Sequence, residues 1–334
     1  MDIIQAIILG IVEGITEYLP ISSTGHLILA QSWMGLGGEA DNAYSIVIQG
    51  GAILAVLGLY RKRVGTMIRG LFGKHKEGLK LAINLIIAFL PAGIFGPLFD
   101  DKIEALLFHP TPVVLALGIG GVLMLFAARW QRSAFHEGTD QNSFIDIAHL
   151  TWKRALIIGI LQCVAMVPGT SRSMMTIVAG MGVGLRPKHA AEFSFLLGLP
   201  TLGGATVFKL IKNSEALATL DVAAMIVGIV VSFIAAAIAI KWLVAYLSKH
   251  GLALFGWYRI ALAIVFAIGL NSGYFTLEGN NDSTTSPDGT RTSSTLPSVT
   301  LPYDHCLAFP VAIHVSPPTI TGPTTDCQCP AMIS

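Results

Sequence analysis

Residues 6–26 read AIILGIVEGITEYLPISSTGH, and 149 positions later residues 155–175 read ALIIGILQCVAMVPGTSRSMM. Ala6, Gly10 and Glu13 meet Ala155, Gly159 and Gln162; one residue is then dropped, so that Pro20 meets Pro168 and Ser23 meets Ser171. The 149 offset returns downstream, where Ser45 meets Ser194. A repeat of this kind says that the chain is built from two copies of one structural unit. Each copy opens on an apolar run, residues 2–19 and 155–167, cut by its proline before it can cross a hydrocarbon core of about 30 Å, which takes roughly 20 helical residues. Proline removes a helix hydrogen bond and turns the residue before it out of the helical region. Each run therefore reads as a re-entrant helical hairpin, tolerated at that depth only where protein or a water-filled cavity covers it.

The composition agrees with a membrane setting. Of 334 residues, 53% are hydrophobic and 12% charged, about half the charge of an average soluble domain. That excludes an ordinary cytosolic protein. Uncharged runs at 43–60, 81–99, 105–128 and 222–240, with weaker ones at 193–208 and 251–270, predict about six transmembrane helices in an all-α polytopic protein. Three of these runs separate the two repeat starts, and an odd number of crossings reverses direction, so the halves are expected to be inverted. In inverted repeats, sites form near the midplane from discontinuous helices. Arg61, Lys62, Arg63, Arg69, Lys74, Lys76 and Lys80 crowd one short loop, opposed only by Glu77, which places that loop on the cytoplasmic side. The first hairpin then enters from the outer side and the second from the cytoplasmic side. Lys209 and Lys212 are the exceptions, falling outside. Arg259 is expected to snorkel to the cytoplasmic interface. From about Gly273 the chain turns rich in Ser, Thr, Pro, Gly and Asn, which predicts a membrane domain over 1–272 and a disordered or adventitious tail over 273–334.

Glu13 and Glu17 lie one helical turn apart in an otherwise apolar run, so they share a face. Carboxylates inside a membrane segment must pair, titrate or bind a cation. Two oxygen donors at this spacing suit Mg²⁺ or Ca²⁺, which also bind phosphate oxygens. After Pro20 comes SSTGH, Ser22 to His26, opening a new helix whose unsatisfied N–H groups and dipole favour an anion. Ser22 or Ser23 is a candidate nucleophile, with His26 on the same face as base or acid; one serine also suits a simple N-cap. In the second hairpin PGTSRS places Arg172 in the first turn of a helix, beside Ser171, Ser173 and Thr176. A membrane-embedded arginine needs an anionic partner, and its planar fork matches phosphate; pairing with Glu13 or Glu17 is the structural alternative. Gln49 either lines the cavity or bonds to a neighbouring helix. Cys163 reads as a small buried hydrophobe, and Cys306, Cys327 and Cys329 lack the spacing of a zinc site.

The motifs EGITEYLPISSTGH from Glu13 and PGTSRSMMT from Pro168 resemble the two signatures of the undecaprenyl-diphosphate phosphatase, or bacitracin-resistance protein, family. The resemblance covers about residues 1–272. It implies hydrolysis of undecaprenyl diphosphate to undecaprenyl phosphate and inorganic phosphate in a bacterial inner membrane, recycling the lipid carrier for peptidoglycan, with resistance to bacitracin. It also implies a divalent cation. Carried onto this chain, the acidic pair is Glu13 and Glu17, and the hydroxyl and histidine positions are Ser22, Ser23 and His26. The arginine motif is Ser171, Arg172 and Thr176. Thr24, Gly25 and Ser173 complete the expected phosphate-binding set. The preferred nucleophile is Ser23 with His26 as proton carrier, and a metal-activated water is the alternative. Expected partners are the lipid diphosphate and membrane lipids, with no nucleic acid; a homodimer is compatible with this reading. Met174 and Met175 stand where the family commonly has Gly and Ala, and the tail to Ser334 has no family counterpart. The competing class is an inverted-repeat transporter or lipid flippase.

Overall fold

The computed structural model describes residues 2–107, 110–134, 147–212, 218 and 220–272. The tail expected over 273–334 lies outside the described residues. Among those described, every regular element is helical. The first half runs α1 (Ile3–Thr16), α2 (Ser23–Trp33), α3 (Glu39–Leu59), α4 (Arg61–Leu71), α5 (Lys76–Leu107) and α6 (Pro110–Ala134). The second runs α7 (Trp152–Gln162), α8 (Arg172–Gly182), α9 (Pro187–Lys212), α10 (Val222–Leu247) and α11 (Ala253–Asn271). Two short 3₁₀ turns, Ile147–His149 and Cys163–Met166, precede and follow α7.

Among the described residues six helices are long and apolar enough to cross a membrane: α3, α5, α6, α9, α10 and α11. All six were foreseen, with shifted ends. The run at 193–208 belongs to a 26-residue helix that passes through Glu192 and Lys209 and carries Pro200 inside it. His189 and Glu192 sit within its opening turns. Residues 105–107 close α5 rather than open α6. The basic loop is largely a helix: α4 exposes Arg61, Lys62 and Arg63 and buries Met67 and Gly70. It folds back on the start of α5, where Gly70 and Gly78 leave no room for a Cβ against the other helix's backbone.

The short helices have the lengths that their prolines dictate. At 1.5 Å per residue, the 14 residues of α1 and 11 of α7 extend about 21 and 17 Å. Each is followed by an irregular stretch through its proline and then by an 11-residue helix, α2 or α8. Ser22 (φ 74°) and Ser171 (φ 73°) are the two non-glycine residues at positive φ among the described residues, and each is the N-cap of its second helix. This shared conformation moves the repeat register by one: Ser22, not Ser23, is the mate of Ser171, and the 149 offset holds through the break. Ser23 and Arg172 are thus matched first residues of their helices.

Part of the packing is reciprocal between the halves. Helix α1 lies against α10 and α7 against α5; α3 also packs on α10 and α9 on α5; α3 meets α9, and α6 meets α11. Exchanging the halves maps each of these pairs onto another pair or onto itself. Small residues make the broken helices approach closely. A Cβ on Gly14 would collide with the Ser232 carbonyl and the Ala236 amide of α10, and one on Gly159 with the Ala88 carbonyl of α5. The same closeness brings the two breaks together over a core that includes Tyr18, Leu19, Met174, Phe195 and Leu196.

Candidate active site

A cavity of about 130 Å³ lies where the breaks meet. From the first come Glu17, Ser22, Ser23 and Thr24, and from the second Pro168, Gly169, Ser171 and Arg172. Gln49 of α3 and Leu202 of α9 close part of the wall. Both α2 and α8 begin here, so their first-turn N–H groups and dipoles meet at one spot.

Glu17 joins the halves. It continues the backbone of α1 as its C-cap, with its N–H donating to the Glu13 carbonyl. The Ser23 hydroxyl donates to Glu17 Oε2 at 2.6 Å, and Arg172 Nη2 pairs with Glu17 Oε1 at 3.2 Å. The guanidinium is fixed on other sides as well. Arg172 Nη1 donates to the Ser194 carbonyl at 2.9 Å, and its Cζ stands 5.5 Å from the centre of the Tyr18 ring. Gly198 permits this position, since a Cβ there would come within 3.1 Å of both terminal nitrogens. Arg172 Nε is buried without a protein partner.

Of the other expected site residues, Glu13, Gly25, His26, Ser173 and Thr176 are not part of the cavity lining. Ser173 is buried and donates to the Leu19 carbonyl at 2.8 Å, tying α8 to the first break. Thr176 is fully buried, with its hydroxyl 2.6 Å from that of Ser194. Ser171 accepts from the Met174 amide as a working N-cap, whereas Ser22 makes no side-chain cap bond. Gly25 backs α2 onto Leu117 of α6. Glu13 sits one turn deeper than Glu17, 1% exposed, with Oε2 lacking a partner. Its repeat mate Gln162 is buried too, with Nε2 lacking a partner.

His26 departs most from its expected pairing with a serine hydroxyl. Its Nδ1 lies 2.7 Å from the Ser22 carbonyl and its Nε2 2.7 Å from the Tyr258 hydroxyl of α11. The group that accepts the Ser23 hydrogen bond is therefore Glu17. Arg259 is also not where the sequence reading put it. Rather than snorkelling, it is fully buried and donates to the carbonyls of Leu117, Ala116 and Gly169 at 3.3, 3.1 and 2.7 Å. Backbone carbonyls hold its Nε and Nη2 within the fold, while Nη1 is buried without a hydrogen-bond partner. Gln49 fills both proposed roles, lining the cavity and accepting from Thr206 at 2.9 Å.

Tyr18, Ser194 and Tyr258 were not singled out as site residues. Tyr18 had a signal in its place beside Glu17, and Ser194 in its place in the repeat. Tyr258 had none, because its partner is 232 positions away.

Among the described residues no group of three or more His, Cys, Asp or Glu gathers for a metal ion. The acidic donors are the pair Glu13 and Glu17. A hard cation such as Mg²⁺ uses one or two carboxylates and takes its other ligands from water and phosphate oxygens. The unpartnered, buried Glu13 Oε2 beside Glu17 fits such a donor set.

Comparison with known proteins agrees with this geometry. The family model described as "Bacitracin resistance protein BacA" matches residues 6–265. A protein of Sorangium cellulosum named undecaprenyl-diphosphatase is 48% identical over 260 residues, covering 77% of this chain and 83% of its own. Proteins of the same name from Acinetobacter baumannii (strain ATCC 17978) and Pseudomonas paraeruginosa are 45% and 46% identical, covering 80% and 78% of this chain and 95% and 91% of theirs. The match takes in both breaks and all six long apolar helices except the last residues of α11, and the chain belongs to the bacitracin resistance protein BacA family.

Proposed function

We propose that this chain is an undecaprenyl-diphosphatase, a membrane hydrolase that converts undecaprenyl diphosphate to undecaprenyl phosphate and inorganic phosphate. The observation that carries the reading is Glu17 holding Ser23 and Arg172 on its two oxygens, at the joined N-termini of α2 and α8. The cavity volume, about 130 Å³, suits a headgroup and not a polyprenyl chain, which stays among the apolar side chains outside. Arg172 and the first-turn N–H groups receive the terminal phosphate, and Ser23 Oγ attacks its phosphorus as Glu17 takes the hydroxyl proton. The anhydride bond breaks and undecaprenyl phosphate leaves. Water then cleaves the phosphoseryl bond, releasing inorganic phosphate and restoring Ser23. His26 carries a proton in this second stage. Glu13 and Glu17 would hold the divalent cation, which when bound offsets phosphate charge.

The two broken segments are re-entrant hairpins of an inverted-topology repeat in the bacterial inner membrane, and the cavity opens to the outer side. The reciprocal packing and the basic face of α4 support this arrangement. The deciding experiment is phosphate release by the purified protein from a polyprenyl diphosphate with Mg²⁺. Release that stops on chelation and returns with Mg²⁺ is the expected outcome. No release under these conditions, together with lipid translocation in vesicles, would replace hydrolysis by transport.

A further inference from the structure

Helix α11 lies next to both breaks. Arg259 donates through Nη2 to the carbonyl of Gly169, a residue of the cavity wall, and through Nε and Nη2 to two carbonyls of α6. Gly120 and Gly121 of α6 make this fit possible: a Cβ on Gly120 would collide with the guanidinium, and one on Gly121 would lie 2.9 Å from the Gly256 carbonyl. The helix is therefore pinned at this height, and the residue before Arg259 has a defined place. That residue is Tyr258, whose hydroxyl is 2.7 Å from His26 Nε2. The two rings are nearly parallel, at 2°, with centroids 5.6 Å apart.

The hydrogen bonds assign the imidazole tautomer. The Ser22 carbonyl can only accept, so Nδ1 carries the hydrogen in that contact. In the neutral ring, Nε2 then holds the lone pair, and the Tyr258 hydroxyl donates to it. The atom of His26 that can take a proton is thus the one that Tyr258 holds, while the Ser23 hydroxyl is satisfied by Glu17.

We propose that Tyr258 is a positioning residue for His26: its hydroxyl fixes the direction of Nε2 so that the imidazole serves the water step and not the attack of Ser23. Arg259 sets where Tyr258 stands. The inference rests on the hydrolase reading for its kinetic consequence, and on geometry alone for the state of the ring. Removing one of the two hydrogen bonds that hold the ring loosens its orientation, an effect felt in turnover more than in substrate binding.

The test is Tyr258→Phe, which keeps the ring and removes the oxygen, assayed for phosphate release from a polyprenyl diphosphate with Mg²⁺. We expect kcat to fall about tenfold with KM within about twofold. In a His26→Gln background the same change should have no further effect, because residues that act through one another are not additive. Unchanged kcat in Tyr258→Phe, or the full fall repeated in the His26→Gln background, would overturn the proposal. A second measurement does not depend on turnover. With ¹⁵N-labelled histidine in detergent, and the His26 signals identified by their loss in His26→Gln, Tyr258→Phe should move the Nε2 resonance and leave Nδ1 protonated. An Nε2 resonance that stays in place would overturn the proposal even if the wild type released no phosphate; that second result counts separately against the hydrolase reading.

Discussion

Ser22 and Ser171 hold a backbone conformation that L-residues with a Cβ rarely adopt, at a cost of order 1–3 kcal/mol each. Both sit where a broken segment turns into a helix facing the cavity, and the turn aims Ser23 and Arg172, the next residues, at the same carboxylate. Two consequences can be measured. Ser23→Ala should reduce phosphate release by about 100-fold or more if Ser23 is the nucleophile, and a phosphoseryl species should be trappable in the wild type only; full turnover by the variant would leave a metal-activated water as the attacking group. Arg172→Lys should also lose about 100-fold in kcat/KM. Lysine keeps the charge but has one nitrogen, and the wild-type fork uses two: Nη1 on the Ser194 carbonyl and Nη2 on Glu17. Activity within about threefold of wild type in Arg172→Lys would show that charge alone suffices.

The helices divide by task. The long ones are apolar enough to cross a membrane, and the proposed chemistry lies on short ones: α1 packs on α10, α7 on α5, α8 on α9, and α2 on α1. At Gly14 this approach leaves no space for a side chain, since a Cβ there would meet the backbone of Ser232 and Ala236. Gly14→Val should therefore shift α1 away from α10 and destabilise the protein by about 1–3 kcal/mol. The measurement is the thermal unfolding midpoint in detergent. Gly50→Val in α3, where a Cβ meets nothing within 4 Å, is the control and should leave the midpoint close to that of the wild type. Equal midpoints for the two variants would show that the close approach is not needed.

Within residues 2–272 the two halves hold each other's broken helices, α1 against α10 and α7 against α5. The proposed orientation puts α4 on the cytoplasmic side. In a cysteine-free background, Lys74→Cys in intact cells should resist an impermeant maleimide and react once the membrane is opened; labelling in intact cells would reverse the topology. Much of this plan could be read from residues in order. Membrane residence, the number of long helices and the two breaks follow from local facts, because apolar length and proline act within a single segment. The acidic pair and the arginine motif were legible for the same reason: ionisable residues in apolar runs stand out wherever the fold puts them. The pairing of Arg172 with Glu17 was one of the two readings the residues allowed; the other partners were not legible. That Glu17 and not His26 takes the Ser23 hydrogen bond, that His26 belongs to Tyr258, and that Arg259 is buried among carbonyls instead of reaching the interface all depend on contacts between segments far apart in the chain. Residue spacing along a helix says which side chains share a face, but the packing of one half on the other decides what that face meets.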